Sequence, residues 1–131
     1  MLNTNLSSAV FAAGLASRYL DSDGGHLILT GAKAAFKLTD CSGFMPGYGL
    51  SKMGVMNLAE MLRCEVDFKV SVIHPGTIDT PNNRAAMPDA DFGEWHSVDG
   101  IAEGVKGIIE KGEGGDYTVE TEGGKTWLEK I

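Results

Sequence analysis

His26-Leu27-Ile28-Leu29-Thr30-Gly31-Ala32 decides the fold. A short apolar run with a glycine behind it reads as a strand buried on both faces. A second such run, Lys69-Val70-Ser71-Val72-Ile73-His74, ends in Pro75-Gly76. A third, Tyr117-Thr118-Val119-Glu120-Thr121, turns at Gly123-Gly124 into a short strand at Lys125-Thr126-Trp127-Leu128. Helical patterns fill the intervals. Leu6 to Leu20 is one, with Leu6, Val10, Ala13 and Ser17 at helical spacing and a surface thinned by Ala9, Ala12 and Ala16. Asn5 stands where an N-cap would, and Asp21-Ser22-Asp23-Gly24-Gly25 stops the helix.

Gly47 to Arg63 is the next helix, apolar around most of its girth, so cover on two sides is expected. Ser97 opens a last one that ends at Gly112. Ala32 to Pro46 and Thr77 to His96 read as loops, and the second is long enough to be functional. Alternation of helix and strand builds a parallel sheet with helices on its faces. Ligands of such sheets sit outside the carboxyl ends of the strands. Those ends are Thr30-Gly31-Ala32 and His74-Pro75-Gly76-Thr77.

Composition narrows the partners. The chain has 131 residues, 43% hydrophobic and 22% charged, which fits one globular domain over 1–131. Its formal net charge is −7 with no run of Lys or Arg, so it offers no electrostatic footprint for nucleic acid or an anionic membrane. No apolar stretch approaches the ~18 residues of a bilayer span, and Met1-Leu2-Asn3-Thr4-Asn5 carries no basic leader. Cys41 and Cys64 make no disulfide framework, and His26, His74 and His96 show no metal-ligand spacing. A cytoplasmic, reducing compartment is expected. Glycine, at 18 residues, is about twice its usual share of roughly 7%, which points to many tight turns.

Tyr48-Gly49-Leu50-Ser51-Lys52 places a phenol and an ammonium one helical turn apart on one face. The positive charge favours the phenolate, so the tyrosine can pass a proton near neutral pH. Pro75-Gly76-Thr77-Ile78-Asp79-Thr80 brings free backbone N–H groups and hydroxyls to a strand's carboxyl end, which suits a nucleotide's carboxamide or phosphates. Two other glycine patterns carry no such meaning. Thr30-Gly31-Ala32 is followed by no further Gly before Phe36, and Gly43, Gly47 and Gly49 lie a dozen or so residues past the strand.

A strand ending in Thr30-Gly31-Ala32, a Tyr48-x-x-x-Lys52 helix and a strand ending in Pro75-Gly76 together resemble the catalytic half of the short-chain dehydrogenase/reductases. Lys33-Ala34-Ala35, Asp79-Thr80-Pro81-Asn82-Asn83-Arg84 and Met87-Pro88-Asp89-Ala90-Asp91-Phe92 with Trp95 are similar to the pterin-reducing members of that family. The resemblance runs from about Asn5 to the terminal hairpin. It implies the C-terminal half of a Rossmann-like doubly wound α/β sheet, with the first βαβαβ portion and its Gly-rich dinucleotide loop missing.

It also implies hydride transfer from NADH or NADPH to a quinonoid dihydropterin. Tyr48 then resembles the proton donor, and Lys52 the residue that bonds the nicotinamide ribose and assists Tyr48. Thr30, Gly31, Ala32, Pro75, Gly76, Thr77 and Thr80 resemble cofactor contacts. Asn5 falls where many members carry an Asn that holds a proton-relay water. Ala32 stands where many carry a catalytic Ser, which argues against an ordinary alcohol dehydrogenase. The resemblance implies a homodimer through helices 6–20 and 47–63. The alternatives are another NAD(P)-dependent reductase of the family, or a partial chain that only dimerises.

Overall fold

A computed structural model describes residues 1–36 and 45–131. Cys41, Gly43 and the Thr39–Gly43 stretch of the first loop lie outside the described residues. Among the described residues four strands form one sheet in the order β1-β2-β3-β4, with β1 at His26–Thr30, β2 at Lys69–His74, β3 at Gly115–Glu122 and β4 at Lys125–Lys130. The first three run parallel and in tight register, Thr30 against Ile73 and His74 against Thr118. β4 returns antiparallel, pairing Tyr117 with Lys130, through a turn in which Gly123 and Gly124 both have positive φ. Only glycine enters that pair of conformations without strain, which is why the chain reverses there.

The helices cover the two faces unequally. α1 (Ser8–Tyr19) and α2 (Pro46–Glu65) share one face, where Ala9, Ala16, Val55 and Ala59 meet Leu29, Val70 and Val72. α4 (Val98–Lys111) covers the other, packing Ile108 on Ile73 and Tyr117. β2 alternates between these cores, Val70 and Val72 to one side and Ile73 to the other, as a period of two requires. Burying its apolar area on both sides is the main source of stability, at about 25 cal/mol per Å². Among the described residues no helix is long and apolar enough to cross a membrane.

Four expectations are corrected. β1 is not buried on both faces: only Leu29 is fully buried in it, because β1 is an edge strand of this sheet. α2 is covered on one side alone, with Ser51, Val55 and Ala59 buried while Leu50 and Met61 stand exposed. Asn5 is not an N-cap. The helix begins ahead of it, and Asn5 sits within a π-helical turn over Asn3–Ser7 that runs directly into α1. The Thr77–His96 stretch is not plain loop either. It holds α3 (Pro81–Ala86) and a 3₁₀ turn at Phe92–Glu94. Thr80 Oγ1 accepts from the Asn83 backbone N–H at 3.2 Å, and Pro81 occupies the first helical position, so a cap and a fixed φ start a helix without apolar periodicity. Ile78 and His96 close the excursion with a parallel bridge.

Candidate active site

Parallel pairing of β1 and β2 brings their carboxyl ends side by side, and the turns that follow continue the ladder. Gly31 donates its N–H to the Ile73 carbonyl at 2.8 Å, and Lys33 donates its N–H to the Pro75 carbonyl at 2.9 Å. The Thr30-Gly31-Ala32 and Pro75-Gly76-Thr77 segments are thereby held together. Gly31 must be glycine: an added Cβ would overlap the His74 ring, which is completely buried beneath it.

Tyr48 lies half-buried in the first turn of α2, and Lys52 follows one turn on. The Lys52 ammonium stands 5.9 Å from the centre of the Tyr48 ring. It also donates to the Thr30 carbonyl oxygen at 2.8 Å, which fixes the ammonium to the end of β1. Burial holds the Lys52 pKa below the usual lysine value. An ammonium has three donors and the Thr30 carbonyl uses one.

Asn5 joins the same cluster from the opposite helix. Its Nδ2 donates to Ser51 Oγ at 3.1 Å, and Ser51 Oγ donates to the Tyr48 carbonyl at 2.7 Å. Ser51 is completely buried, so this relay ties the π turn to the first turn of α2. Turns of this kind recur at functional sites. Asn5, Lys52, Thr30, Thr4, Ser8 and Val55 line an open cleft of about 350 Å³ beside β1. A cleft of similar size, about 390 Å³ between α4 and β4, contains none of them.

The structure therefore unites Asn5, Tyr48, Lys52 and Thr30. Ala32 is buried at the same strand end and brings no hydroxyl. Pro75 is buried, Gly76 exposed and Thr77 half-buried on the neighbouring turn. Thr80 lies farther along and serves α3 as its cap. Ser51 carries no signal in the sequence, because a serine inside Tyr-x-x-x-Lys has no special spacing of its own. His74 likewise gave no signal, yet its Nε2 bonds Asp116 Oδ1 at 2.8 Å, and Asp116 Oδ2 pairs with Arg63 at 2.6 Å. Burial lowers the His74 pKa, outweighing the opposing pull of the Asp116 hydrogen bond.

These residues fit the nicotinamide end of a dinucleotide. Among the described residues the Lys52 ammonium hydrogen-bonds the Thr30 carbonyl, which leaves donors that could meet a ribose hydroxyl, and the exposed Gly76 turn brings backbone to the same strand ends. Among the described residues no strand is followed by a Gly-rich turn that opens a helix.

Comparison with known proteins gives the family. A family model described as short chain dehydrogenase matches residues 1–91, which include every helix and strand that builds the cleft. A curated protein of Dictyostelium discoideum named dihydropteridine reductase is 36% identical over 108 residues. Those residues cover 79% of this chain and 45% of that protein, so the chain spans less than half of its relative. A helix carrying tyrosine and lysine one turn apart, docked on the carboxyl end of a parallel strand and matched across 1–91, places the chain in the short chain dehydrogenase family.

Proposed function

We propose that the protein serves the NADH- or NADPH-dependent reduction of a quinonoid dihydropteridine to its tetrahydro form. The observation that carries this reading is the Tyr48–Lys52 pair anchored by Lys52 to the Thr30 carbonyl. The name of the 36% identical relative supports the substrate class. The reduced nicotinamide, when bound, supplies a hydride. Tyr48 supplies the proton from its phenol, and the nearby Lys52 ammonium stabilises the phenolate left behind. In this reading Asn5, held by Ser51, holds a water that returns the proton. Ala32 adds no hydroxyl to polarise a carbonyl, which suits an electron-poor substrate better than a simple ketone.

Assembly belongs to the same reading. Phe11, Leu15 and Tyr19 form an exposed apolar stripe on α1, and Leu50 and Met61 stand exposed on α2. Monomers rarely leave such helix faces bare. Pairing of two copies through α1 and α2 covers them, and the compartment is cytoplasmic in this reading.

The decisive experiment follows NADH and NADPH oxidation with chemically generated quinonoid dihydropterin. Tyr48→Phe is expected to slow turnover by at least 10²-fold, in the range of a lost general acid. An unchanged rate in that variant would sink the mechanism. Turnover of simple ketones but not of the dihydropterin would favour another reductase of the family. Dimerisation without nicotinamide binding would leave only the assembly half of the proposal.

A further inference from the structure

The Pro75-Gly76-Thr77 turn is hydrogen-bonded to the backbone of Lys33, just past the neighbouring strand end. Lys33 lies three residues past the end of β1, yet its Nζ pairs with Glu120 Oε1 in β3 at 2.7 Å. Since the sheet order is β1-β2-β3, this side chain reaches across the end of β2. Its own N–H meanwhile donates to the Pro75 carbonyl at 2.9 Å. A side chain at position 76 would press on His96 and touch the Lys33 stem. An ideal Cβ there would lie 3.0 Å from His96 Nε2 and 3.9 Å from Lys33 Cδ.

His96 is itself anchored. Its Nδ1 bonds Thr121 Oγ1 at 2.7 Å, and Thr121 Oγ1 bonds Thr126 Oγ1 at 2.9 Å. The His96 backbone N–H donates to the Thr77 carbonyl at 2.9 Å. The turn is thus gripped at Pro75 and Thr77 through its carbonyls, with the His96 ring close against Gly76 and the Lys33 stem alongside.

We propose that Lys33, braced by Glu120, is a positioning residue that sets the height of the Pro75-Gly76-Thr77 turn at the carboxyl end of β2. Both members of the ion pair are about one-third exposed, at 33% and 32%. Pairs that exposed contribute little to global stability, so the effect of this one is local. Glu120 is held below the usual carboxylate range, first by the Lys33 hydrogen bond, as a well-formed pair requires. Burial first and the proximity of Lys33 second hold the His96 pKa below the usual imidazole value, against an opposing pull from Glu120. The consequence for catalysis rests on the nicotinamide reading above; the positioning of the turn does not.

The test separates the two. In Glu120→Gln the Lys33 and His96 amides, which are bonded to Pro75 and Thr77, are expected to exchange with solvent about tenfold faster. The Val70 and Val72 amides keep their rates. Lys33→Met, which keeps the stem and loses the charge, gives the same pattern at His96, and Lys33→Arg restores it. In steady-state assays the KM for NADH rises several-fold in Lys33→Met while kcat stays within about twofold. Unchanged His96 exchange in both variants, or equal acceleration of every amide, would overturn the proposal. If the unmodified protein binds no NADH or NADPH, the nicotinamide reading falls, and the exchange measurements still decide the role of Lys33.

Discussion

Asn5 Nδ2 reaches Ser51 Oγ at 3.1 Å across a seam between two helices that are far apart in sequence. Ser51 is completely buried and passes the contact on to the Tyr48 carbonyl. Removing the hydroxyl strands the Asn5 amide at a half-buried position. Ser51→Ala is therefore expected to lower stability by about 1–2 kcal/mol in urea titration, with Asn5→Ala costing less because its site can rehydrate. Equal stability of Ser51→Ala and the parent would show that the relay carries no energy.

Glycine positions separate by what surrounds them. Gly31 lies over the buried His74 ring, which is held by Asp116 and cannot swing away. Gly31→Ala should cost about 1–3 kcal/mol, the usual range for overpacking. Gly14, in the middle of α1, has nothing within 4 Å of an added Cβ. Gly14→Ala should gain about 0.5–1 kcal/mol from helix propensity. Thermal melts of the two variants should move in opposite directions.

Acid sensitivity follows from the histidines. His26, His74 and His96 all have pKa values held below the ordinary imidazole value, with burial as the largest cause in each. Between those values and about pH 6.5 the unfolded chain binds more protons than the folded one. Stability is therefore complete above about pH 6.5 and declines as the pH falls, by at most about 1.4 kcal/mol per pH unit for each histidine. His74→Gln keeps a donor for Asp116 and removes one titration. Denaturation at about pH 5 and pH 7.5 should show a shallower decline for that variant, and an equal decline would remove His74 from the account.

The bare helix faces predict association. Phe11 and Tyr19 are 70% and 69% exposed, and Met61 is 67% exposed. Phe11→Asp should weaken self-association at least tenfold, equivalent to about 1.4 kcal/mol, in sedimentation equilibrium. A parent protein that is monomeric at all concentrations would refute the α1–α2 interface.

Strands were legible where apolar runs meet strong punctuation. His26–Thr30 and Lys69–His74 stand at the residues read from sequence because Gly31 and Pro75-Gly76 bound them. Burial was less legible. An apolar run reports its preference for apolar surroundings, not whether a strand lies on each side, and β1 turns out to be an edge. α3 escaped because its signal is a cap and a proline, with no apolar stripe behind them. The π turn at Asn5 has no local sequence mark, so a polar residue ahead of a helix reads as a cap. In the site, Tyr48 and Lys52 share a helix and their spacing shows them. Lys33 with Glu120, and His74 with Asp116, meet only through the sheet, and no local pattern pairs them.

The bridge between Ile78 and His96 has a wider meaning. It knots off the excursion at its neck, with Asp79 N–H on the His96 carbonyl and His96 N–H on the Thr77 carbonyl. Inside, Arg84 grips Asp79 and lies over Phe92, whose ring tilts on Trp95, so the segment largely packs on itself. Lengthening such a closed loop costs little, about 0.6 kcal/mol per doubling. The excursion is thus a self-closed cassette, in which a change of length need not disturb the strand ends below it.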